Sequence, residues 1–305
     1  MFTGLSAFPL TPFTADKPDE AAFLRLLQRL TEAGVDSLGV LGSTGSYAYL
    51  NRTQRRRIAE LAVAHAGAVP VMIGIGAVSS AEVLHLAEDA QQAGASALLL
   101  PPLGYQALRD EEVFTLYQTV ARHASVPICV YDNPGTTHFT FSDALIGRIA
   151  ALPGIASIKI PGVPAELPAA VQRIAQLRAL LPETVSIGVS GDAFAATGLL
   201  AGCDGWYSVC GGLFPRVAKA IAEAAQAGDD RRVTMLDAQL QPLWALFRQH
   251  GGSLRVMAAA AAILGLTAAD NLPRPLLSLS GADYQQIAEV VIALELAEPA
   301  RAGGS

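Results

Sequence analysis

The chain has 305 residues, a formal net charge of −6 and 51% hydrophobic residues. The acidic balance disfavours nucleic acid as a partner, and the apolar content suffices for a sizeable core. The apolar stretch at 256–266 is too short to span a bilayer, so we predict no membrane partner. Three cysteines without metal-ligand spacing, and an N-terminus without signal-peptide character, predict a cytoplasmic protein.

Eight short apolar segments before residue 210 are predicted to be β-strands. Five of them lie at 5–9, 69–76, 126–131, 155–160 and 185–189, and three more end the related segments 33–40, 93–100 and 201–208. In each related segment a helix end is followed by a glycine and then by a strand. Amphipathic helices are predicted between the strands, at 20–33, 53–66, 81–93, 111–123, 143–151 and 167–181.

The alternation of strands and helices predicts the fold class. Continuous apolar strands that alternate with helices indicate a parallel sheet covered by helices, and eight such units predict an α/β fold, the (β/α)₈ TIM barrel. An open doubly wound sheet is the alternative, but no Gly-x-Gly-x-x-Gly turn follows the first strand. After residue 228 the pattern predicts three appended helices at 229–250, 253–264 and 282–296. We therefore predict a catalytic barrel at 1–228 and a C-terminal helical region at 229–305.

Lys159 lies in an apolar strand, where a lysine is unexpected. Only three lysines accompany eighteen arginines, and the other two, Lys17 and Lys219, lie in polar surroundings. Because an apolar pocket favours a neutral amine, and a neutral amine attacks carbonyl carbon, Lys159 is a candidate nucleophile. The alternative is a structural lysine paired with a buried carboxylate.

Polar residues follow several predicted strands at their carboxyl ends, where barrels of this kind hold their catalytic groups. The candidate site residues are Ser43, Thr44, Gly45, Ser46, Tyr105, Tyr131, Thr136, Ser190, Asp192 and Ser208. A Gly-Ser-Thr-Gly turn is also typical of a helix N-cap, and a single tyrosine is more often a core residue. Hydroxyls beside free backbone amides, however, also bind small carboxylates. The histidines are scattered, so we predict no metal site.

Four motifs resemble those of the dihydrodipicolinate synthase and N-acetylneuraminate lyase superfamily. They are Gly42-Ser43-Thr44-Gly45, Tyr131-Asp132-Asn133-Pro134-Gly135, the strand lysine Lys159, and Ser190-Gly191-Asp192. Each motif is weak alone, but their order and spacing are specific, and the resemblance covers essentially the whole chain. It implies a class I aldolase-type enzyme, a carbon–carbon or carbon–oxygen lyase that needs no external cofactor. The family commonly forms homotetramers, so we expect a homotetramer or a dimer.

The resemblance also implies a role for individual residues. Lys159 would attack the ketone of pyruvate, or of another 2-oxo acid, to form a Schiff base. Ser43 and Thr44 would hold the carboxylate with nearby backbone amides, and Tyr131 would shuttle protons. Tyr105 resembles the family tyrosine that enters a neighbouring subunit's site and completes a Tyr–Thr–Tyr relay, in which Thr44 is the threonine.

Several departures from the family pattern affect the second substrate. Ser46 replaces the usual glutamate of the Gly-Thr-Thr-Gly-Glu motif. Ile160 follows Lys159, at a position where the synthases often carry a glutamate. Thr136 stands where the synthases carry an arginine that grips the second carboxylate of aspartate semialdehyde, and a threonine cannot make that bidentate contact. Asp192-Ala193 keeps only the first residue of the Asp-Glu pair with which sialic-acid lyases bind sugar hydroxyls.

The leading hypothesis is a Schiff-base lyase that cleaves or condenses pyruvate with an undetermined aldehyde or sugar acid. Dihydrodipicolinate synthase proper, an enzyme of lysine biosynthesis, is one alternative within this chemistry. A non-catalytic binder of 2-oxo acids on the same scaffold is a second alternative. A third is an unrelated barrel that binds phosphosugars after its last strands, near Gly211-Gly212.

Overall fold

The computed structural model describes residues 2–294. Eight parallel strands form a closed barrel. They are β1 (Gly4–Ala7), β4 (Ser37–Val40), β5 (Val71–Gly74), β6 (Ala97–Leu100), β7 (Ile128–Tyr131), β8 (Ile155–Ile160), β9 (Ser186–Val189) and β10 (Gly205–Ser208), and β10 pairs with β1 to close the barrel. A small hairpin of β2 (Phe13–Thr14) and β3 (Lys17–Pro18) follows β1.

Helices surround the barrel and continue beyond it. Those within the barrel region are α1 (Glu20–Glu32), α2 (Arg52–His65), α3 (Ser80–Gln92), α4 (Asp110–His123), α5 (Pro134–Thr137), α6 (Asp143–Ala150), α7 (Leu167–Leu180), α8 (Ala195–Leu200) and α9 (Pro215–Gln226). The C-terminal helices are α10 (Asp230–Gln249), α11 (Leu254–Ile263) and α12 (Gly281–Ala293). Within residues 2–294 no helix is long and apolar enough to cross a membrane.

Local sequence signals explain where the helices begin and end. Asp19 caps α1 by accepting a hydrogen bond from the backbone N–H of Ala22 at 2.9 Å, and such caps satisfy free N–H groups at a helix start. The related segments each turn at a glycine in the left-handed region, with φ of 65° at Gly34, 94° at Gly94 and 100° at Gly202. Glycine adopts this conformation without steric cost, so in each segment the chain can leave the helix and enter the next strand.

Two aromatic rings fill the barrel interior where the neighbouring strands carry glycine. A Cβ atom on Gly39 would lie 2.3 Å from the ring of Phe8, and one on Gly188 would lie 2.1 Å from the ring of Tyr207. The two rings pack edge to face with centroids 6.0 Å apart. Because these glycines leave room for large rings, Phe8 and Tyr207 close the interior beneath the carboxyl ends of the strands.

The prediction of a TIM barrel with three C-terminal helices is confirmed, as are the positions of all eight strands. The sequence analysis did not predict α8, α9, the single turn α5 or the hairpin of β2 and β3. The hairpin, α5 and α8 are too short to carry detectable periodicity, whereas α9 has 12 residues with one apolar face and could have been predicted. The last predicted helix, at 282–296, is observed as Gly281–Ala293, and positions 295 and 296 lie outside the described residues. The boundary at residue 228 stays a prediction.

Candidate active site

Lys159 lies near the carboxyl end of β8, in the barrel interior. Its side chain is only 5% exposed. The register of β7 and β8 pairs it with Tyr131, and the Lys159 Nζ lies 4.4 Å from the centre of the Tyr131 ring and 5.7 Å from that of Phe8. Among the described residues, the lysine ion pairs are those of Lys219, and none involves Lys159. The structure therefore places an amine among aromatic rings, without the carboxylate partner that the structural alternative required.

The phenol of Tyr131 lies among polar side chains. Its oxygen lies 2.7 Å from the Ser43 Oγ, and the Asn133 Nδ2 donates a hydrogen bond to it at 3.0 Å. Burial raises the pKa of Tyr131, but the charge of Lys159 and hydrogen bonds with Ser43, Thr136 and Asn133 outweigh burial and hold that pKa below its ordinary value. A phenol in these surroundings releases its proton more readily than a free tyrosine does.

The turn after β4 brings Ser43 to this phenol. Its backbone is tightly packed, because a Cβ on Gly45 would lie 2.9 Å from the backbone nitrogen of Leu41. Ser46 closes the turn in the left-handed region with φ of 53°, and its N–H donates to the carbonyl of Ser43 at 3.0 Å. Thr44 and Ser46 are buried beside Ser43. Thus the structure places Ser43, and not Thr44, in hydrogen-bond contact with Tyr131.

The helix-cap interpretation of the Gly-Ser-Thr-Gly turn does not describe this structure. Helix α2 begins after Asn51, whose side chain accepts from the backbone N–H of Gln54 at 2.9 Å, while the Gln54 side chain accepts from the N–H of Asn51 at 3.0 Å. This reciprocal capping box satisfies the start of the helix. The turn at 42–45 is therefore not needed to cap α2.

The polar residues after β9 and β10 bond to one another. The Asp192 carboxylate accepts hydrogen bonds from the Trp206 indole at 3.0 Å, from the Ser208 hydroxyl at 3.0 Å and from the Cys210 backbone N–H at 2.8 Å. Burial is the main influence on Asp192 and raises its pKa to about 6. The Ser190 hydroxyl donates to the carbonyl of Ile160 at 2.8 Å. These side chains join the last strands and their following turns to each other.

Thr136 and Tyr105 occupy more open positions. Thr136 is exposed at the start of α5, where its hydroxyl donates to the carbonyl of Asn133 at 3.3 Å. Tyr105 projects from the loop after β6 and is 90% exposed. In the single chain, the Tyr105 ring therefore presents nearly all of its surface to solvent.

The sequence analysis did not select two polar residues near Tyr131. Asn133 contacts the phenol directly and could have been found, because it lies in the same motif. Tyr47 is 7% exposed, with the Arg55 guanidinium carbon 5.2 Å from its ring centre. Arg55 in turn donates to the carbonyls of Gly74 and Gly76 at 2.8 Å each. Sequence periodicity gave no signal for Tyr47, because it lies in a short 3₁₀ turn.

Among residues 2–294 no group of three or more histidine, cysteine, aspartate or glutamate side chains is placed to hold a metal ion. The three cysteines are free and buried, and burial raises the pKa of the Cys129 thiol to about 11. A buried thiol of that kind is unreactive.

A TIM barrel with a buried strand lysine beside a hydrogen-bonded tyrosine defines the class as class I aldolase-type lyases. The model of the dihydrodipicolinate synthetase family matches residues 1–294. The chain belongs to this family, as the sequence motifs indicated. Its members are enzymes of the carbon–carbon lyase class.

Individual relatives agree with this assignment. A 4-hydroxy-tetrahydrodipicolinate synthase from Methylococcus capsulatus is 32% identical over 235 residues, which cover 76% of this chain and 79% of that protein. A crystal structure of a dihydrodipicolinate synthase from Agrobacterium tumefaciens is 46% identical with a TM-score of 0.92, covering 96% of this chain and 98% of that one. A prophage protein of the family from E. coli K12, solved in complex with pyruvate, is 26% identical with a TM-score of 0.86, covering 97% and 99%.

Proposed function

We propose that the protein is a lyase that forms a Schiff base between Lys159 and pyruvate, or another 2-oxo acid. With this intermediate it cleaves or forms a carbon–carbon bond to an aldehyde or a sugar acid. The observation that carries the proposal is the buried Lys159 amine, which lies 4.4 Å from the centre of the Tyr131 ring. The Tyr131 phenol in turn contacts the Ser43 hydroxyl at 2.7 Å.

The geometry supports a specific division of labour. After losing a proton, the Lys159 amine adds to the ketone carbon of the 2-oxo acid, and one N–H proton passes to the oxygen to give a carbinolamine. Tyr131 then gives its proton to the carbinolamine oxygen, the C–O bond breaks, and water leaves as the nitrogen lone pair forms the C=N bond. The protonated imine withdraws electrons and stabilises the enamine that forms when a C–C bond breaks. The depressed pKa of Tyr131 suits a group that gives and takes a proton at each turnover.

The substrate carboxylate would bind at the turn after β4. Ser43 and Thr44 supply hydroxyls there and Gly45 supplies a backbone amide, whereas the N–H of Ser46 already donates to the carbonyl of Ser43. Since Ser43 contacts the phenol, we assign the relay hydroxyl to Ser43 and leave Thr44 to the carboxylate. Tyr105 would complete the relay in a neighbouring subunit, which fits its exposure and would make the active enzyme a homotetramer or a dimer. A fully active monomer in sedimentation experiments would contradict that assembly.

The second substrate separates the two candidate activities. The names of the relatives favour 4-hydroxy-tetrahydrodipicolinate synthase, and this is the second candidate. Thr136 argues against it, because a threonine offers no positive charge for the distal carboxylate of aspartate semialdehyde. We therefore retain an undetermined aldehyde or sugar acid as the leading partner. The buried free cysteines fit a cytoplasmic location, which we also propose.

Borohydride trapping tests the chemistry before any second substrate is known. Incubation with pyruvate and borohydride, followed by intact mass and peptide mapping, is expected to give one reduced pyruvyl adduct on Lys159. The Lys159→Ala variant should give no adduct and no turnover with any substrate, while its melting curve shows a folded protein. A folded parent enzyme that binds pyruvate but forms no adduct would favour a non-catalytic binder instead, and retained turnover in Lys159→Ala would exclude the mechanism.

A further inference from the structure

Asn133 is held in one position beside the phenol of Tyr131. Its backbone carbonyl accepts hydrogen bonds from the N–H groups of Thr136 and Thr137, both at 3.0 Å, and from the hydroxyls of Thr137 at 3.0 Å and Thr136 at 3.3 Å. These four donors on one carbonyl anchor the residue at the start of α5. The side chain is therefore presented to Tyr131 from a fixed turn, and its Nδ2 lies 3.0 Å from the phenol oxygen.

The chemistry of an amide nitrogen determines the direction of this hydrogen bond. The Asn133 Nδ2 carries only donors, so the Tyr131 oxygen must accept there. The single phenol proton must then point elsewhere, and the nearest hydroxyl is the Ser43 Oγ at 2.7 Å. If Tyr131 donates to Ser43, the proton of Ser43 is free to bond onward. When Tyr131 loses its proton, the phenolate can accept from Asn133 and Ser43 together.

We propose that Asn133 is a positioning residue that directs the proton of Tyr131 toward Ser43 and stabilises the phenolate form. This inference rests on the proposed function, in which Tyr131 transfers protons during imine formation. A hydrogen bond to an ionised oxygen is stronger than one to the same oxygen when neutral, so the Asn133 amide favours the phenolate over the phenol. The amide cannot itself carry the proton away, and therefore acts only through Tyr131.

Other groups near the phenol do not offer the same control. Lys159 from β8 supplies a positive charge, and Ser43 and Tyr47 reach the phenol region from the segment after β4. Burial raises the pKa of Tyr47, so it stays a neutral phenol over the working range. Asp132 precedes Asn133, and burial raises its pKa to about 6, well below the range in which a tyrosine titrates. An effect of Asn133 on the alkaline titration is thus separable from the titrations of Tyr47 and Asp132.

The test measures the titration of Tyr131 directly. Ultraviolet difference spectra record tyrosinate formation, and subtraction of the spectra of a Tyr131→Phe variant isolates the contribution of Tyr131. In Asn133→Val the titration of Tyr131 is expected to move up by about one pH unit, because the phenolate loses a donor. With pyruvate and borohydride, the rate of adduct formation should fall about tenfold, with the alkaline limb of its pH profile shifted in the same direction.

Two further variants guard the interpretation. Asn133→Asp places a carboxylate beside the phenol, so it should raise the titration further than Asn133→Val does. Asn51→Asp makes the same chemical change at the N-cap of α2, where aspartate caps as well as asparagine, and should leave the titration and the adduct rate unchanged. Melting curves confirm that each variant is folded.

The outcomes distinguish this inference from the function on which it rests. An unmoved Tyr131 titration in both folded Asn133 variants would overturn the positioning role, even if the trapping rate fell, because Asn133 would then only shape the turn. If the Tyr131 titration shifts in the Asn133 variants but the parent enzyme forms no adduct, the contact between Asn133 and Tyr131 is upheld and the proposed Schiff-base chemistry fails.

Discussion

The two sides of the barrel mouth use similar residues in opposite ways. At the ends of β4, β7 and β8, the Ser43 hydroxyl contacts the Tyr131 phenol, and the Lys159 amine lies over the Tyr131 ring. After β9 and β10, Asp192 and Ser208 bond to each other and to nearby backbone groups. In the proposed mechanism, the first side keeps the groups that exchange protons with a substrate. The second side uses its polar atoms to fix the strands and turns.

This contrast teaches that a polar residue after a barrel strand is not by itself a substrate contact. On the Lys159 side, the hydroxyls lie beside a group whose chemistry needs a proton partner. On the Asp192 side, two side-chain donors and a backbone N–H converge on one buried carboxylate. Because a buried carboxylate is costly without such partners, these donors and the acid require one another.

The largest effect that tests this contrast is expected at Asp192. Asp192→Ala leaves the donors of Trp206, Ser208 and Cys210 without their acceptor, so we expect the free energy of unfolding to fall by about 3 kcal/mol. Urea unfolding at pH 7 measures this change. The matched variant Asp192→Asn retains one acceptor oxygen and should lose less stability.

Steady-state kinetics of Asp192→Ala test the alternative, that Asp192 contacts the substrate. If Asp192 instead contacts the substrate, as the sequence analysis predicted, Asp192→Ala would keep its stability and raise the KM for the second substrate. Such a result would make the two sides of the mouth alike and remove the contrast.

A smaller effect is expected on the other side of the mouth, at Ser43. Ser43→Ala removes the hydroxyl that contacts Tyr131, and we expect the trapping rate with pyruvate to fall about 10²-fold with little change in stability. Thr44→Val, in the same turn, keeps the shape of the side chain and should lower the rate less. A larger loss in Thr44→Val than in Ser43→Ala would return the relay to Thr44, where the family resemblance placed it.

The sequence predicted the barrel well because each unit repeats the same physical signals. Apolar strands, amphipathic helices and left-handed glycines such as Gly34 and Gly94 recur along the chain. A unit with an ambiguous pattern can therefore be assigned by comparison with the other units. The buried position of Lys159 on a strand was also predictable, because its sequence neighbours are apolar and a lysine is rare in such a strand.

Side-chain direction was the part of the site that the sequence could not supply. Ser43 and Thr44 are adjacent residues with hydroxyl side chains, and the sequence does not distinguish which of them contacts Tyr131. The left-handed turn closed by Ser46 determines that the Ser43 hydroxyl reaches the phenol. In the same way, nothing in Ser190-Gly191-Asp192 reveals that Trp206 and Cys210 donate to the acid. These contacts depend on turns and distant strands rather than on local pattern.

The smallest effect concerns Asp132, a carboxyl that neither side of the mouth satisfies. Its Oδ1 is buried without a hydrogen-bond partner among the described residues. Burial raises its pKa from 3.8 to about 6, although the charges of Lys159 and Arg173 act in the opposite direction. Asp132 therefore differs from Asp192 in having no hydrogen-bond partner for that oxygen within residues 2–294. Burial raises the pKa of both acids, so the ionised form of Asp132 is expected to weaken the fold.

The pH dependence of that penalty has a definite sign. Between pH 3.8 and about 6 the folded protein holds the Asp132 proton more tightly than the unfolded chain, so this group's contribution to stability falls as pH rises through that window. Asp132→Asn removes the titration. We expect the variant to be more stable than the parent by about 2 kcal/mol at pH 8, and the gain to shrink as the pH approaches 4. Urea unfolding at several pH values measures it, and a variant that is less stable than the parent at pH 8 would show that Asp132 has a partner the ionised acid needs.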